Sequence, residues 1–532
     1  MVQTSPTHRV GMDGAGRSSP GGAGGFEPCQ FFRPFRGASF GLDSSAPYWC
    51  NRRGGGGVGI GTGMMEPRSS RRELMRAAAL GAAAAIALPR RLAAGAAGRR
   101  PPNIVFILTD DLGWAELGCY GNAFNETPHL DRLAREGVRF TQACAAAPVC
   151  SPTRAALMTG LWPARVGITD YLRADDPKFL SADQYAALPK VLKAAGCATA
   201  LIGKWHLMGD YSRRPGDPRR HGFDEVICSE SAYIGGGFYF PPYKHMPEVQ
   251  PRLGPNEYLT DRLNLEAVEF IDRHKDRPFF LLLSHYAPHT RLVGKPELVA
   301  KYEKKPGAGK GPQARQRNPH LAAMIESIDD GVGRIADALE RLGLAGQTLV
   351  VFNSDNGGEA AVTSNAPLRA GKSHLYEGGI RVPLIMRWPG AIPAGSTCDA
   401  AVSTVDFYPT LAAVAGAAAD AGRPADGVSL LPLLRDPAAR LARDALFWHY
   451  PLEKPHFLGG KSASAVRAGD WKLIRFHVGP NGPAEHAELY NLKDDPGETR
   501  DLAADRPQKV KELAALLGRF LADTCAARAP AG

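Results

Sequence analysis

The chain has 532 residues, 44% of them hydrophobic, with nine Cys and a net charge of +10. That apolar content excludes a wholly disordered chain, and nine Cys over this length exclude a disulfide-knotted miniprotein. The first 100 residues carry 14 Arg against five acidic residues, leaving 50 basic and 49 acidic residues for the rest, so net charge gives a nucleic-acid partner no support.

Residues 1–63 hold 16 Gly and show neither helical nor strand periodicity. They read either as a disordered leader or as an untranslated stretch ahead of a start at Met64 or Met65. Arg71-Arg72-Glu73-Leu74 then precedes a mostly apolar segment, Ala77 to Leu88, too short to span a bilayer comfortably but suited to a signal-peptide core. The paired Arg resembles a twin-arginine export signal. Residues 64–98 are therefore expected to be a signal peptide, with the twin-arginine translocase as partner, a periplasmic or secreted destination and no permanent membrane anchor.

Along the body, short apolar runs end in residues that a core would not choose. Ile104 to Leu108 leads into Asp110-Asp111, and Ala198 to Ile202 into Lys204-Trp205-His206. Phe279 to Leu283 leads into His285 and His289, and Leu349 to Phe352 into Asp355-Asn356. Helical patterns lie between them, at Leu130 to Glu136, Tyr185 to Ala195, Leu263 to His274 and Leu321 to Leu342. This alternation predicts an α/β fold with a large mixed, mostly parallel sheet flanked by helices over residues 101–415. Ligands in such sheets bind beyond the carboxyl ends of the strands, where Asp, Lys, His and Asn converge. Residues 416–532 read as a linker and a smaller α+β subdomain with antiparallel strands. Two of those strands flank the Gly469-Asp470 turn, a third lies at Glu488 to Leu492, and a closing helix covers Val510 to Leu521.

Asp110, Asp111, Asp355 and Asn356 offer oxygen donors only, which select Ca²⁺ or Mg²⁺. Ser151 and Pro152 suit a helix N-cap and first turn, which would put Cys150 at a helix N-terminus with Arg154 near the same end. By itself Cys150 could equally be a reduced thiol or half of a disulfide with Cys144.

Cys150-Ser151-Pro152-Thr153-Arg154 followed by Ala155-Ala156-Leu157-Met158-Thr159-Gly160 resembles the signature of the type I sulfatases, the formylglycine-dependent, arylsulfatase-like branch of the alkaline phosphatase superfamily. Thr109 to Trp114, Gly203 to Leu207, Ala287-Pro288-His289, Ser354 to Gly358, Gly371-Lys372 and Tyr376 to Pro383 match further motifs in the family's order. The resemblance implies that Cys150 is oxidised to formylglycine by a formylglycine-generating enzyme. It implies a divalent cation, Ca²⁺ in most of the family with Mg²⁺ as the alternative, held by Asp110, Asp111, Asp355, Asn356 and the modified Cys150. Asp355 would be the base for attack on sulfur. Arg154, Lys204 and Lys372 would clamp the sulfate, His289 would protonate the leaving alcohol, and His206 would take the proton that releases sulfate. His285, four residues earlier, is the alternative to His289. Glu377, Arg381 and Asp406 read as structural.

The expected activity is hydrolysis of a sulfate ester, of a carbohydrate or of an aryl alcohol. A phosphonate monoester or phosphodiester hydrolase of the same superfamily and an unmodified, non-catalytic sulfated-glycan binding protein are the alternatives. Specificity is expected from the loops at Asp210 to Arg220, Ser229 to Lys244 and Leu292 to Asn318.

Overall fold

In the computed structural model, which describes residues 100–212, 214–233, 238–417, 425–477 and 486–524, the apolar runs become strands of one eight-stranded sheet. The leader and signal segment read from residues 1–98 lie outside the described residues. The strands of the body are β1 (Asn103–Thr109), β2 (Val138–Phe140), β3 (Ala143–Cys144), β4 (Ala198–Gly203), β5 (Glu225–Ile227), β6 (Phe279–Ser284), β7 (Thr348–Ser354), β8 (Leu384–Arg387), β9 (Ser396–Cys398) and β10 (Val402–Ser403). The large sheet has the order β5-β4-β6-β1-β7-β8-β2-β9. Only β8 runs against its neighbours, β7 and β2; every other pairing in the sheet is parallel.

Both faces of the sheet are covered, which is why its central strands read as unbroken apolar runs rather than as an alternation. Val105 and Ile107 of β1 pack with Leu263, Phe270, Met324 and Ile328. Ile104 and Phe106 point to the other face, among Leu157, Leu192 and Leu411. The principal helices are α1 (Pro128–Arg135), α2 (Cys150–Thr159), α3 (Leu188–Ala194), α4 (Leu259–Arg273), α5 (Pro319–Arg341) and α6 (Phe407–Val414). The longest, α5, starts where the Asn318 side chain accepts from the backbone N–H groups of His320 and Leu321, with Pro319 in the first turn.

Register fixes the edge that matters. Leu108 pairs with Ser284, Thr109 with Ser354, and Gly203 with Ser284. The carboxyl ends of β4, β6, β1 and β7 therefore lie level, and the residues that follow each strand emerge side by side.

The second sheet is an antiparallel meander of β11 (Leu446–Tyr450), β12 (Ala463–Ala468), β13 (Trp471–Phe476) and β14 (His486–Asn491). The closing helix α7 (Pro507–Asp523) packs Leu513, Leu517 and Phe520 into the core beneath it. This sheet also supports the first. Lys472 of β13 is fully buried, and its Nζ lies 2.9 Å from both Glu377 Oε1 and Glu498 Oε1. Glu377 in turn accepts from Arg381 Nε at 2.6 Å, and its own backbone N–H donates to Glu498 Oε2 at 2.6 Å. This network fixes the start of the Glu377–Ile380 turn just after Lys372. Removing the ammonium leaves two buried carboxylates facing each other, a situation that costs about 3–5 kcal/mol. Lys472→Met is therefore expected to lower unfolding stability by about that amount in denaturant titration, whereas a loss below about 1 kcal/mol would show the network to be dispensable.

Candidate active site

Four strand ends and one helix end build the site. After β4 the chain must turn at once, and Gly203 permits it: its φ is +97°, and a Cβ there would lie 2.0 Å from the Ser284 carbonyl oxygen. Lys204 N–H then donates to that same carbonyl at 2.8 Å. Asp110 N–H donates to Ala287 O at 3.2 Å and Asp355 N–H to Thr109 O at 3.1 Å, so β1, β6 and β7 are bonded together beyond their last paired residues. Asp111 and His206 both adopt the left-handed backbone region, with φ of 65° and 55°. Such strain outside glycine persists only where surrounding bonds hold it.

Helix α2 begins at Cys150 with Val149 as its N-cap, so Ser151 is not the cap expected from the sequence. Ser151 instead accepts from Leu172 N–H at 3.0 Å. Cys150 still stands in the first turn, 2% exposed, with its thiol free, and so is Cys144; the disulfide alternative does not form. Burial pushes the Cys150 thiol above its ordinary pKa, although Lys204 and Lys372 pull the other way. An unmodified thiol here is a poor nucleophile.

The charged groups form one buried cluster. Arg154 Nε and Nη2 both donate to Asp355 Oδ2, at 2.9 and 2.7 Å, and Nη1 donates to Lys204 O and Ser284 Oγ at 3.1 and 2.7 Å. Lys204 Nζ lies 2.7 Å from Asp110 Oδ2, and Lys372 Nζ lies 2.7 Å from Asp111 Oδ2. His289 Nε2 is 2.9 Å from Lys372 Nζ and 3.6 Å from Asp111 Oδ2. Burial would raise the Asp110 and Asp111 carboxyls, but Lys204 beside the one and Lys372 beside the other leave both below their ordinary range. Asp355 is raised, by burial and then by Asp110.

The donor set fits a hard cation. Asp110 Oδ1 and Asn356 Oδ1 are buried with no hydrogen-bond partner among the described residues, while Asn356 Nδ2 is spent on Asp111 Oδ1 at 2.7 Å and on Gly357 O. Ligand atoms of Asp110, Cys150 and Asp355 lie within 4.8 Å of one another, as do those of Asp110, Asp111 and His289. Two orphaned amide and carboxylate oxygens inside a three-carboxylate cluster are what a divalent cation with oxygen preference would satisfy.

The structure thus brings Asp110, Asp111, Cys150, Arg154, Lys204, His289, Asp355, Asn356 and Lys372 into one cluster. His285 is fully buried, neither ring nitrogen has a hydrogen-bond partner among the described residues, and burial drops its pKa to about 3. His206 is bonded through Nε2 to Leu172 O at 3.0 Å, while its Nδ1 has no hydrogen-bond partner among the described residues.

Besides Ser284, whose hydroxyl accepts from Arg154, Glu230 was not anticipated in the site. Glu230 is buried and accepts from His206 N–H at 2.5 Å, from Trp205 N–H at 3.0 Å and from the Tyr211 and Tyr286 hydroxyls. It holds the Lys204–His206 turn in place, and nothing in Ser229-Glu230-Ser231 marks it in sequence. Glu377, Arg381 and Asp406 do take structural places. Asp406 closes a capping box with Ser403 and accepts from Val428 N–H and Arg443.

Comparison with known proteins adds the following. A family model described as Sulfatase matches residues 102–417, and one described as N-sulphoglucosamine sulphohydrolase, C-terminal, matches residues 370–525. The chain is 33% identical over 521 residues to steryl-sulfatase of Mus musculus, covering 78% of this chain and 80% of that one. Among solved structures it resembles Ps i-CgsB in complex with k-i-k-neocarrahexaose, at 32% identity, 79% and 93% coverage and a TM-score of 0.67. It also resembles BT4656 in complex with its substrate D-Glucosamine-2-N, 6-O-disulfate, at 26% identity, 80% and 98% coverage and a TM-score of 0.62. The phosphonate monoester hydrolase of Agrobacterium radiobacter, 22% identical with a TM-score of 0.60 and coverage of 80% and 96%, shares the fold alone.

Proposed function

The chain belongs to the sulfatase family, and from that membership we propose that it hydrolyses carbohydrate sulfate esters through a formylglycine made from Cys150 and a bound divalent cation. It is a sulfuric ester hydrolase, and the observation that carries the finer reading is the meeting of Cys150 with the carboxylates of Asp110 and Asp355 within 4.8 Å.

Asp110, Asp111, Asp355 and Asn356 would hold the cation, Ca²⁺ or Mg²⁺, which when bound offsets the charge of the sulfate oxygens and lowers the pKa of the nucleophile. Oxidation of Cys150 supplies a hydrated aldehyde, one hydroxyl to attack sulfur and a second to let sulfate leave. Lys204 and Lys372 are the sulfate clamps: each ammonium is paired with a single carboxylate and can turn to the ester anion once a cation takes over that carboxylate's charge. Arg154 is the less mobile partner. Four of its N–H bonds are already committed, so it fixes Asp355, the proposed base, and balances its charge.

The two imidazoles suit opposite tasks. Because His206 Nε2 faces a carbonyl oxygen it carries the proton, and its unpartnered Nδ1 is a free acceptor. Burial, then Lys204, keeps this ring's pKa well below the ordinary value, so it stays neutral and ready to take the proton whose removal releases sulfate. His289 Nδ1 faces Thr290 O at 2.6 Å, so its Nε2 accepts from the Lys372 ammonium. That shared proton is available to the departing alcohol oxygen.

The Arg71-Arg72 segment further supports export by the twin-arginine translocase to the periplasm or beyond, after a formylglycine-generating enzyme has acted in the cytoplasm. Among the described residues no helix is long and apolar enough to cross a membrane.

The test compares 4-nitrophenyl sulfate with the corresponding phosphonate and phosphate esters. The sulfate is expected to be cleaved with a kcat/KM at least about tenfold above the others. Faster cleavage of a phosphorus ester would make the chain a phosphonate or phosphodiester hydrolase. Binding of sulfated glycans without any turnover would make it a binding protein.

A further inference from the structure

The segment Asp170 to Arg173 is tied to the candidate active site twice. Leu172 N–H donates to Ser151 Oγ at 3.0 Å, next to Cys150, and Leu172 O accepts from His206 Nε2 at 3.0 Å. Tyr171 and Arg173, the residues flanking Leu172, are therefore held at fixed places beside the reacting groups. The Arg173 guanidinium lies 4.5 Å from the Tyr171 ring centroid, its Nε donates to Tyr171 Oη at 3.2 Å and its Nη2 pairs with Asp170 at 3.1 Å. Its side chain is nevertheless 51% exposed, and its Nη1 makes no hydrogen bond among the described residues.

The loop between β11 and β12 reaches the same place from the second sheet. Gly460 packs against Ser373, next to Lys372, so closely that a Cβ would lie 1.9 Å from its carbonyl oxygen. His456 stands 5.4 Å from the Tyr171 ring at 74°, and Phe457 stacks on His456 at 4.3 Å. Phe457 is 77% exposed, a ring left in water beside an active site. His456 Nδ1 accepts from Leu458 N–H at 3.1 Å, so the proton sits on Nε2, which is buried and has no hydrogen-bond partner. Burial, then Lys372 and Arg173, drop its pKa to about 4, which keeps the ring neutral.

We propose that Tyr171, Arg173, His456 and Phe457 form the subsite for the alcohol part of the ester, and that they select a saccharide ring carrying a second anionic group. The parts match that ligand. Phe457 offers an exposed face to the C–H side of a sugar ring, His456 stacks behind it and holds it there, and Arg173, paired with Asp170 but half exposed, offers guanidinium N–H groups to a second sulfate or carboxylate. A small aryl sulfate uses none of the polar parts. The inference rests on the sulfatase reading and goes beyond it in naming what lies past the scissile oxygen.

The experiment measures kcat/KM on 4-nitrophenyl sulfate and on a panel of hexose and hexosamine monosulfates, each paired with its disulfated counterpart, D-glucosamine 2-N,6-O-disulfate included. The best saccharide is expected to be doubly charged and at least about tenfold better than its singly charged partner. Arg173→Ala should erase that preference, and Phe457→Ala should lower the ratio of saccharide to aryl kcat/KM about tenfold, chiefly through KM. A best substrate that is singly charged, or variants that lower both activities in parallel, would overturn the proposal. Failure to cleave any sulfate ester, 4-nitrophenyl sulfate included, would instead remove the sulfatase reading itself.

Discussion

Replacing Cys150 by Ala is expected to abolish multiple turnover, with kcat falling by about six orders of magnitude, the scale of deleting a covalent nucleophile. Cys150→Ser separates the chemistry from the fold. A serine hydroxyl can attack sulfur, but the resulting ester has no second hydroxyl from which a proton can be taken to expel sulfate. That variant should therefore release at most one equivalent of alcohol and then stop, while its melting temperature stays near that of the parent, since Ser fits the small buried site in the first turn of α2. Steady turnover by either variant would show that the thiol-derived group is not the nucleophile. Rate alone would not separate these outcomes; the burst does.

The second large effect is expected at Asp355. Asp355→Ala removes the partner of two Arg154 N–H groups and leaves a guanidinium that is 3% exposed with Asp110, 3.7 Å away, as its remaining counter-charge, a change expected to cost at most about 3–5 kcal/mol of stability. It also removes a proposed ligand from the cation cluster and the proposed base, so kcat should fall at least about a thousandfold. Calcium distinguishes the two contributions. The parent, stripped with a chelator, should regain stability on adding Ca²⁺, by about 2.7 kcal/mol at a concentration one hundred times its Kd. The Ala variant should show little or no shift under the same titration. An equal shift in both proteins would place the cation elsewhere.

The sheet was legible where its strands are long and buried on both faces. Ile104 to Leu108 and Leu349 to Phe352 are apolar without interruption because β1 and β7 lie at the centre of a doubly covered sheet. Strands β5, β2, β8 and β9 were not legible: three or four residues each carry too little pattern to outweigh their surroundings. The sheet was expected to be mixed, but for the same reason the strand that reverses, β8, could not be placed.

In the site, the polar residues at strand ends stood out because a core would reject them. What holds them did not. Glu230 and Ser284 act through bonds to residues 19 to 130 positions away, and no local spacing encodes such partners. Ser151 carried a misleading local signal. Its hydroxyl suits an N-cap, but the helix starts at Cys150, and the hydroxyl is drawn off by Leu172. That bond and the one from His206 to Leu172 O also explain why the expected specificity loops omitted residues 170–173: their place near Cys150 comes from these two tertiary hydrogen bonds, not from their own sequence.

The measurement closest to the central claim is mass spectrometry of the peptide bearing Cys150, taken from active protein made in its native host and treated with an aldehyde-reactive hydrazide. The account predicts an aldehyde at position 150, trapped by the hydrazide in proportion to specific activity. An intact Cys150 thiol in fully active protein would contradict it.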